Sequence, residues 1–273
     1  IEDEMEYFKP MIERSRKYKK SELTEFRKET IKERKLRISY EIFEQLRGVV
    51  KYGIFQGMKL NPKTWWGGLD LGAMCFGEYE KEILEQLEIE FQKTKKPRTF
   101  IDIGAADGYY AVGVLFSGLA KECVCFELSP NGRENIALNH TLNNSPGNLK
   151  IYGDVFTDLE KAITTDALKN SIILIDIEGA EFKLLNKQTL ALMKEATIII
   201  EVHNWIENFE EMYRKFLIEA SEFFQFERIR SLPRNFNGFE EELRFYTDEN
   251  RVLLFSESRP CQMRFLKLVP KIT

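Results

Sequence analysis

Acidic side chains recur in one pattern along this chain. Asp102, Glu127, Asp154, Asp176 and Glu201 each stand at or next to the end of a short apolar run, and His203 follows the last of them. Carboxylates accept hydrogen bonds from hydroxyls, amines and cations, and an imidazole with its ordinary pKa of about 6.5 can take a proton at neutral pH. Between the first two acids lies Gly104-Ala105-Ala106-Asp107-Gly108. The two glycines let the backbone approach a ligand with no Cβ in the way. The amphipathic stretch that begins at Tyr109 would aim unpaired N–H groups at the same spot. Thr99 to Ala111 therefore reads as strand, cofactor loop and helix.

The loop restricts which cofactor fits. Its spacing, Asp-x-Gly-x-x-x-Gly, departs from the Gly-x-Gly-x-x-Gly of dinucleotide sites, because Ala106 occupies the second glycine position. Glu127 lies about twenty residues further on, where a nucleotide-binding sheet places its ribose-binding acid; NAD would use that acid as well. A crevice that gathers so many acids is costly without a cation or polar ligand to satisfy them. S-adenosylmethionine suits it, with a sulfonium, an ammonium, two ribose hydroxyls and an adenine amine. The missing glycine and the Asp before the turn favour this methyl donor over NAD. The expected cofactor contacts are Asp102, Gly104, Ala105, Asp107, Gly108, Tyr109, Glu127, Leu128, Asp154, Val155 and Asp176. Plainer readings stand beside these. Asp154 is also ordinary turn chemistry after a strand, and Glu178 and Glu181 flank Gly179 at a helix start, where the helix dipole favours acids in any case.

Strands and helices in alternation must position these groups. Thr99–Asp102, Cys123–Phe126, Leu149–Tyr152, Ser171–Ile175 and Thr197–Val202 read as strands, with helices over Glu78–Gln92, Asn131–Asn143 and Ile206–Phe224. Phe226–Arg230 and Val252–Phe255 read as two further strands, and Phe239–Tyr246 as a helical lid between them. The expectation is an α/β fold with a doubly wound, mostly parallel seven-stranded sheet, whose strand ends share one ligand-binding edge. Residues 1–76 read as a helical N-terminal arm and a Trp/Gly-rich connector, and 77–273 as the cofactor-binding domain. In the arm, Ile1–Arg37 has the charge density of a solvated helix with Leu23, Phe26, Ile31 and Leu36 scattered in it, and Ser39 can cap a second helix. The arm suits packing or a homodimer contact. Trp65 and Trp66 suit either a substrate pocket or packing between arm and core.

With 273 residues, 43% of them hydrophobic, the chain can bury a full core. Its net charge of −4 argues against a dedicated nucleic-acid surface. The four cysteines match neither a zinc site nor a disulfide framework, and Cys123 and Cys125 suit one face of a strand. No secretory segment and no apolar run of membrane-spanning length stands out, so a reduced, cytoplasmic protein is expected.

Four segments together resemble a known family. Phe100–Tyr110 (FIDIGAADGYY), Phe126–Pro130 (FELSP), Asp176–Glu181 (DIEGAE) and Ile199–His203 (IIEVH) follow the order and spacing of the FkbM-type methyltransferases, a branch of the class I S-adenosylmethionine-dependent enzymes. Gly77–Glu80 (GEYE) is similar as well, and the likeness runs from about Gly77 to Phe255. One departure is at Ala106-Asp107, where the family often carries Asn. The resemblance implies O-methyl transfer to a saccharide or natural-product hydroxyl. By position it implies Asp102, Gly104 and Gly108 at the methionine part of the cofactor, Glu127 at the ribose and Asp154 at the adenine.

Methyl transfer needs a nucleophile aligned behind the methyl and a group that removes its proton. His140 lies on an exposed-looking helix among asparagines. His203 lies on the ligand edge and is the expected base, oriented by Glu201 or Asp176. Two rivals remain at this stage. Asp176, Glu178, Glu201 and His203 could instead hold Mg²⁺ for a metal-dependent O-methyltransferase, or the chain could be a non-catalytic cofactor-binding scaffold. Arg228, Arg230, Arg234, Arg244, Arg259 and Arg264 suit either an anionic acceptor or solvated surface.

Overall fold

The computed structural model describes residues 29–93, 98–234, 236 and 238–271, and residues 6 and 9 singly. The expectations for Pro10, Leu23, Phe26 and Lys95-Lys96-Pro97 fall outside them.

The elements traced through the described residues are first α1 (Ile31–Gln45), a 3₁₀ turn at Gly68–Asp70, α2 (Leu71–Phe76) and α3 (Lys81–Gln92). There follow β1 (Thr99–Ile103), α4 (Tyr109–Phe116), β2 (Glu122–Phe126), α5 (Pro130–Leu142) and β3 (Asn148–Tyr152). Next come α6 (Val155–Ala162), α7 (Thr165–Leu168), β4 (Ser171–Ile175), α8 (Glu181–Leu184), α9 (Lys187–Leu192) and β5 (Thr197–Val202). The chain closes with α10 (Phe209–Ala220), β6 (Phe224–Ile229), α11 (Glu240–Leu243), α12 (Asp248–Phe255) and β7 (Arg264–Pro270).

The strands form one seven-stranded sheet in the order β3-β2-β1-β4-β5-β7-β6. β1 to β5 pair in parallel, and β7 runs antiparallel between β5 and β6. This is a Rossmann-like α/β fold with a doubly wound, mostly parallel seven-stranded sheet. The strand order reverses at β1 and β4, which opens a crevice at their carboxyl ends.

The alternating side chains of the central strands explain the two covering layers. Phe100, Cys123, Cys125, Ile172 and Leu174 face a core shared with α1 to α4 and α12, whereas Ile101, Ile103, Val124, Ile173 and Ile175 face one shared with α6, α8, α9 and α10. Each fully buried Ile or Leu contributes about 1.5–3 kcal/mol. The connector enters the first core through Val50, Phe55, Met58 and Leu60. No helix among the described residues is long and apolar enough to cross a membrane.

Three expectations are corrected. Val252–Phe255 is the last turn of α12, not a strand: Thr247 caps that helix by accepting from the Asn250 N–H, with Asp248 and Glu249 in its first turn. The seventh strand is β7, whose run is interrupted by Lys267. That lysine is buried, bonded to Glu90 at 3.0 Å and paired with Glu227 at 2.6 Å. Phe239–Tyr246 is no lid, because Phe239 packs in the core against Tyr52, Phe76 and Phe255. Ser39 caps nothing. It lies inside α1 and accepts from the Gly72 N–H at 2.7 Å, while Thr30 and Glu33 form the capping box at the helix start.

Candidate active site

β1 delivers Asp102 to the crevice, and the loop turns directly beneath it. Gly104 has φ 93°, and a Cβ there would lie 1.6 Å from the Asp176 carbonyl oxygen, so β1 and β4 can approach only through a glycine. Asp102 is 2% exposed, and its Oδ2 has no hydrogen-bond partner among the described residues. Burial pushes its carboxyl up to about 8, aided by Asp176 and opposed by the Ala111 N–H.

Glu127 is held by the loop it faces. Its Oε2 accepts from the Ala106 N–H at 2.9 Å and its Oε1 from the Ser129 N–H at 2.7 Å, which leaves each oxygen one further lone pair. Gly132 makes room for it, since a Cβ there would meet Glu127 Cγ at 2.6 Å. Asp154 caps α6 by accepting from the Phe156 N–H at 2.9 Å. Beside these acids, Leu128 and Phe156 stand 74% and 45% exposed and line the same edge.

A cavity of about 280 Å³ runs along this edge. Of the expected cofactor contacts, Asp102, Gly104, Ala105, Asp107, Tyr109, Glu127, Leu128, Asp154, Val155 and Asp176 line it, and Gly108 does not. Trp65 and Trp66 line it too. Asp107 points its carboxylate to the connector, where it accepts from the Trp65 and Trp66 N–H groups at 2.8 and 3.1 Å.

Acids crowd the opposite end. Asp176, Glu178 and Glu80 line the cavity, and His203 stands behind them, 1% exposed. His203 Nε2 lies 3.5 Å from Asp176 Oδ1, 3.5 Å from Glu178 Oε2 and 3.9 Å from Glu201 Oε2. Its Nδ1 bonds Glu181 Oε1 at 2.6 Å, so the residue that orients the ring is Glu181, rather than the expected Glu201 or Asp176. Glu181 is fully buried and also accepts from the Ile177 and Gly179 N–H groups, which fixes the turn after β4. Burial alone would lower the His203 pKa; the Glu181 bond and the neighbouring carboxylates outweigh it and leave the pKa raised.

Sequence reasoning missed three members of this cluster. Glu80 sits in a left-handed conformation at φ 43°. It accepts from Tyr110 Oη at 2.7 Å and from Arg259 at 3.1 Å. Arg259 also reaches Glu201 at 3.0 Å and Glu257 at 3.0 Å. Burial raises the Glu80 and Glu201 carboxyls, with Arg259 opposing the rise. The Gly77–Glu80 segment was the available signal for Glu80; Glu181 was visible as a helix-start acid and as the end of the DIEGAE segment, and Arg259 as one of six C-terminal arginines. Arg234 likewise turns inward, to Glu82 at 2.7 Å, so these two arginines do not belong to a basic outer surface. His140 bonds the Pro146 carbonyl at 2.9 Å and takes no part.

Two overlapping trios, Asp176/Glu178/His203 and Glu80/Asp176/Glu201, could each offer ligand atoms within 4.8 Å of one another.

No family model matches the chain, and no curated protein sequence matches it. Solved structures that it resembles include the tRNA (m1A58) methyltransferase TrmI from Aquifex aeolicus, at 14% identity over 72% of this chain and 70% of that one, with a TM-score of 0.46. An O-methyltransferase from Bacillus cereus in complex with SAH is 13% identical over 87% and 90%, with a TM-score of 0.45. The precorrin-6y C5,15-methyltransferase from Geobacter metallireducens is 11% identical over 69% and 89%, with a TM-score of 0.43.

Proposed function

We propose that the chain is an S-adenosylmethionine-dependent O-methyltransferase of the FkbM type, acting on a hydroxyl of a saccharide or other small molecule. The observation that carries this reading is the orphaned Asp102 Oδ2, buried at the glycine loop in the same cavity as Glu127 and Asp154. The donors it lacks are those of an ammonium. Glu127 keeps one free lone pair on each oxygen for a ribose diol, and Leu128 and Phe156 offer apolar surface to a base beside Asp154. When bound, S-adenosylmethionine supplies a methyl on a sulfonium that needs no further activation.

The chain's own task is then to align a hydroxyl and take its proton. Asp176 stands on the cavity wall to receive the hydroxyl's hydrogen bond, and His203 Nε2 stands 3.5 Å behind it to hold the proton. Glu181 keeps the imidazole turned that way and stabilises its charged form. His203→Ala is expected to retain cofactor binding and to lose labelled methyl transfer to hydroxyl acceptors by about 10²-fold or more. Unchanged turnover would remove His203 from the reaction.

A cation-assisted form of the same reaction is favoured by one observation, the Asp176/Glu178/His203 trio. A hard divalent ion there would be held by carboxylate oxygens and one imidazole nitrogen and would acidify the hydroxyl. Manganese titration followed by electron paramagnetic resonance separates the two forms: tight binding that Asp176→Asn abolishes supports the cation, and no binding excludes it.

A further inference from the structure

Asp107 lies in the cofactor loop, yet its side chain serves another segment. Oδ1 accepts from the Trp65 N–H at 2.8 Å and from Asn135 Nδ2 at 2.8 Å, and Oδ2 accepts from the Trp66 N–H at 3.1 Å. Its carbonyl accepts from Asn139 Nδ2 at 2.8 Å. Asn135 and Asn139 on α5 and Asn143 at its C-cap recur four residues apart, along one side of the helix. The two deeper ones continue the fastening. Asn139 Oδ1 accepts from the Asn61 N–H at 2.9 Å. Asn143 bonds both the N–H and the carbonyl of Lys59, each at 2.8 Å.

The base and the tip of this segment are held differently. Lys59 and Asn61 are tied to asparagines 5% and 7% exposed. Trp65 and Trp66 are 38% and 51% exposed, yet they border the cofactor cavity, and the hydrogen bonds on their backbone N–H groups go to one carboxylate. Hydrogen bonds to an ionised acceptor are roughly twice as strong as neutral ones. Asp107 also follows Ala106, whose φ is 47° and whose N–H is held by Glu127. The proposed ribose-binding acid, the loop and the tip are therefore linked through consecutive residues.

We propose that Asp107 is a positioning residue that latches the Trp65–Trp66 tip across the mouth of the cleft and thereby sets how long the cleft retains its nucleoside cofactor. The retention role rests on the cofactor reading above; the latch itself does not. Asp107→Ala removes all three side-chain bonds, and Asp107→Asn keeps one oxygen that can accept from a single tip N–H.

Two measurements test the latch. In hydrogen exchange on the ligand-free protein, Asp107→Ala loses protection at the Trp65 and Trp66 amides and keeps it at Lys59 and Asn61, with Asp107→Asn in between. In stopped-flow displacement of S-adenosylhomocysteine, release is about tenfold faster from Asp107→Ala and intermediate from Asp107→Asn, at a melting temperature close to the wild type's. Unchanged exchange at Trp65 and Trp66 would overturn the latch. Altered exchange with unchanged release would overturn its role in retention. If the wild type does not bind S-adenosylhomocysteine, the cofactor reading fails and takes the retention role with it, while the exchange pattern still judges the fastening.

Discussion

His203 shows how a residue's surroundings decide what it can do. The sequence placed it on the ligand edge, and the structure adds Glu181 at 2.6 Å, a partner whose spacing of 22 residues gave no hint of contact. Glu181 favours the imidazolium, so the neutral base becomes available at higher pH than in an ordinary histidine. The transfer rate should rise with pH along a limb whose midpoint lies above the ordinary value of about 6.5. Glu181→Gln retains a hydrogen-bond acceptor and removes the charge, so the limb should move to lower pH while the plateau falls. A pH profile of kcat checks this; a limb that stays in place would detach Glu181 from the titration. Asp107 teaches the converse. It lines the cavity, as its place in the loop suggested, and its carboxylate also holds the Trp65 and Trp66 amides and Asn135, a use no local pattern reveals.

Among the elements, the first five strands were legible because each is a short apolar run ended by a polar residue, and the structure places them within about a residue of the expected bounds. The C-terminal part was not. Val252–Phe255 carries four apolar residues in a row, a run too short to tell a strand from a helix turn, and the cap at Thr247 decides it. β7 hid behind Lys267, whose ammonium is held by Glu90 and Gln86 on α3 and by Glu227 on β6, none of them near it in sequence. The glycine loop was legible in composition, though its tightest constraint is tertiary: Gly104 abuts the carbonyl of Asp176 on the next strand. Gly104→Ala is therefore expected to destabilise the fold by about 3 kcal/mol or more, seen as a lower urea midpoint. A midpoint equal to the wild type's would show that β1 and β4 can separate.

At the scale of the whole molecule, the cleft gathers more acids than cations. Asp102, Glu80 and Glu201 all have folded-state pKa values above their ordinary ones, each chiefly through burial. These three groups bind more protons in the folded, cofactor-free protein than in the unfolded chain, so the stability they contribute is fully present below the ordinary carboxylate range and is lost as pH rises through the raised values. Arg259 offsets part of this through Glu80 and Glu201. Arg259→Ala should cost about 3–5 kcal/mol where these acids are ionised and less in mild acid, which thermal melts across pH would record. A loss independent of pH would show that Arg259 acts through packing alone. The chemistry of this edge was readable from the sequence because a parallel sheet sends every strand end to one side. What closes the cleft was not, since Arg259, Glu80 and the tryptophan tip arrive from segments far away in the chain. The most direct measurement is calorimetric titration of S-adenosylhomocysteine into the wild type and Asp102→Asn across pH. An ionised Asp102 is the form that accepts an ammonium, so affinity should rise with pH up to about 8 in the wild type. It should be weaker by about tenfold and nearly flat in Asp102→Asn. Absence of binding, or binding indifferent to Asp102, would contradict the assignment of this cleft to the methyl donor.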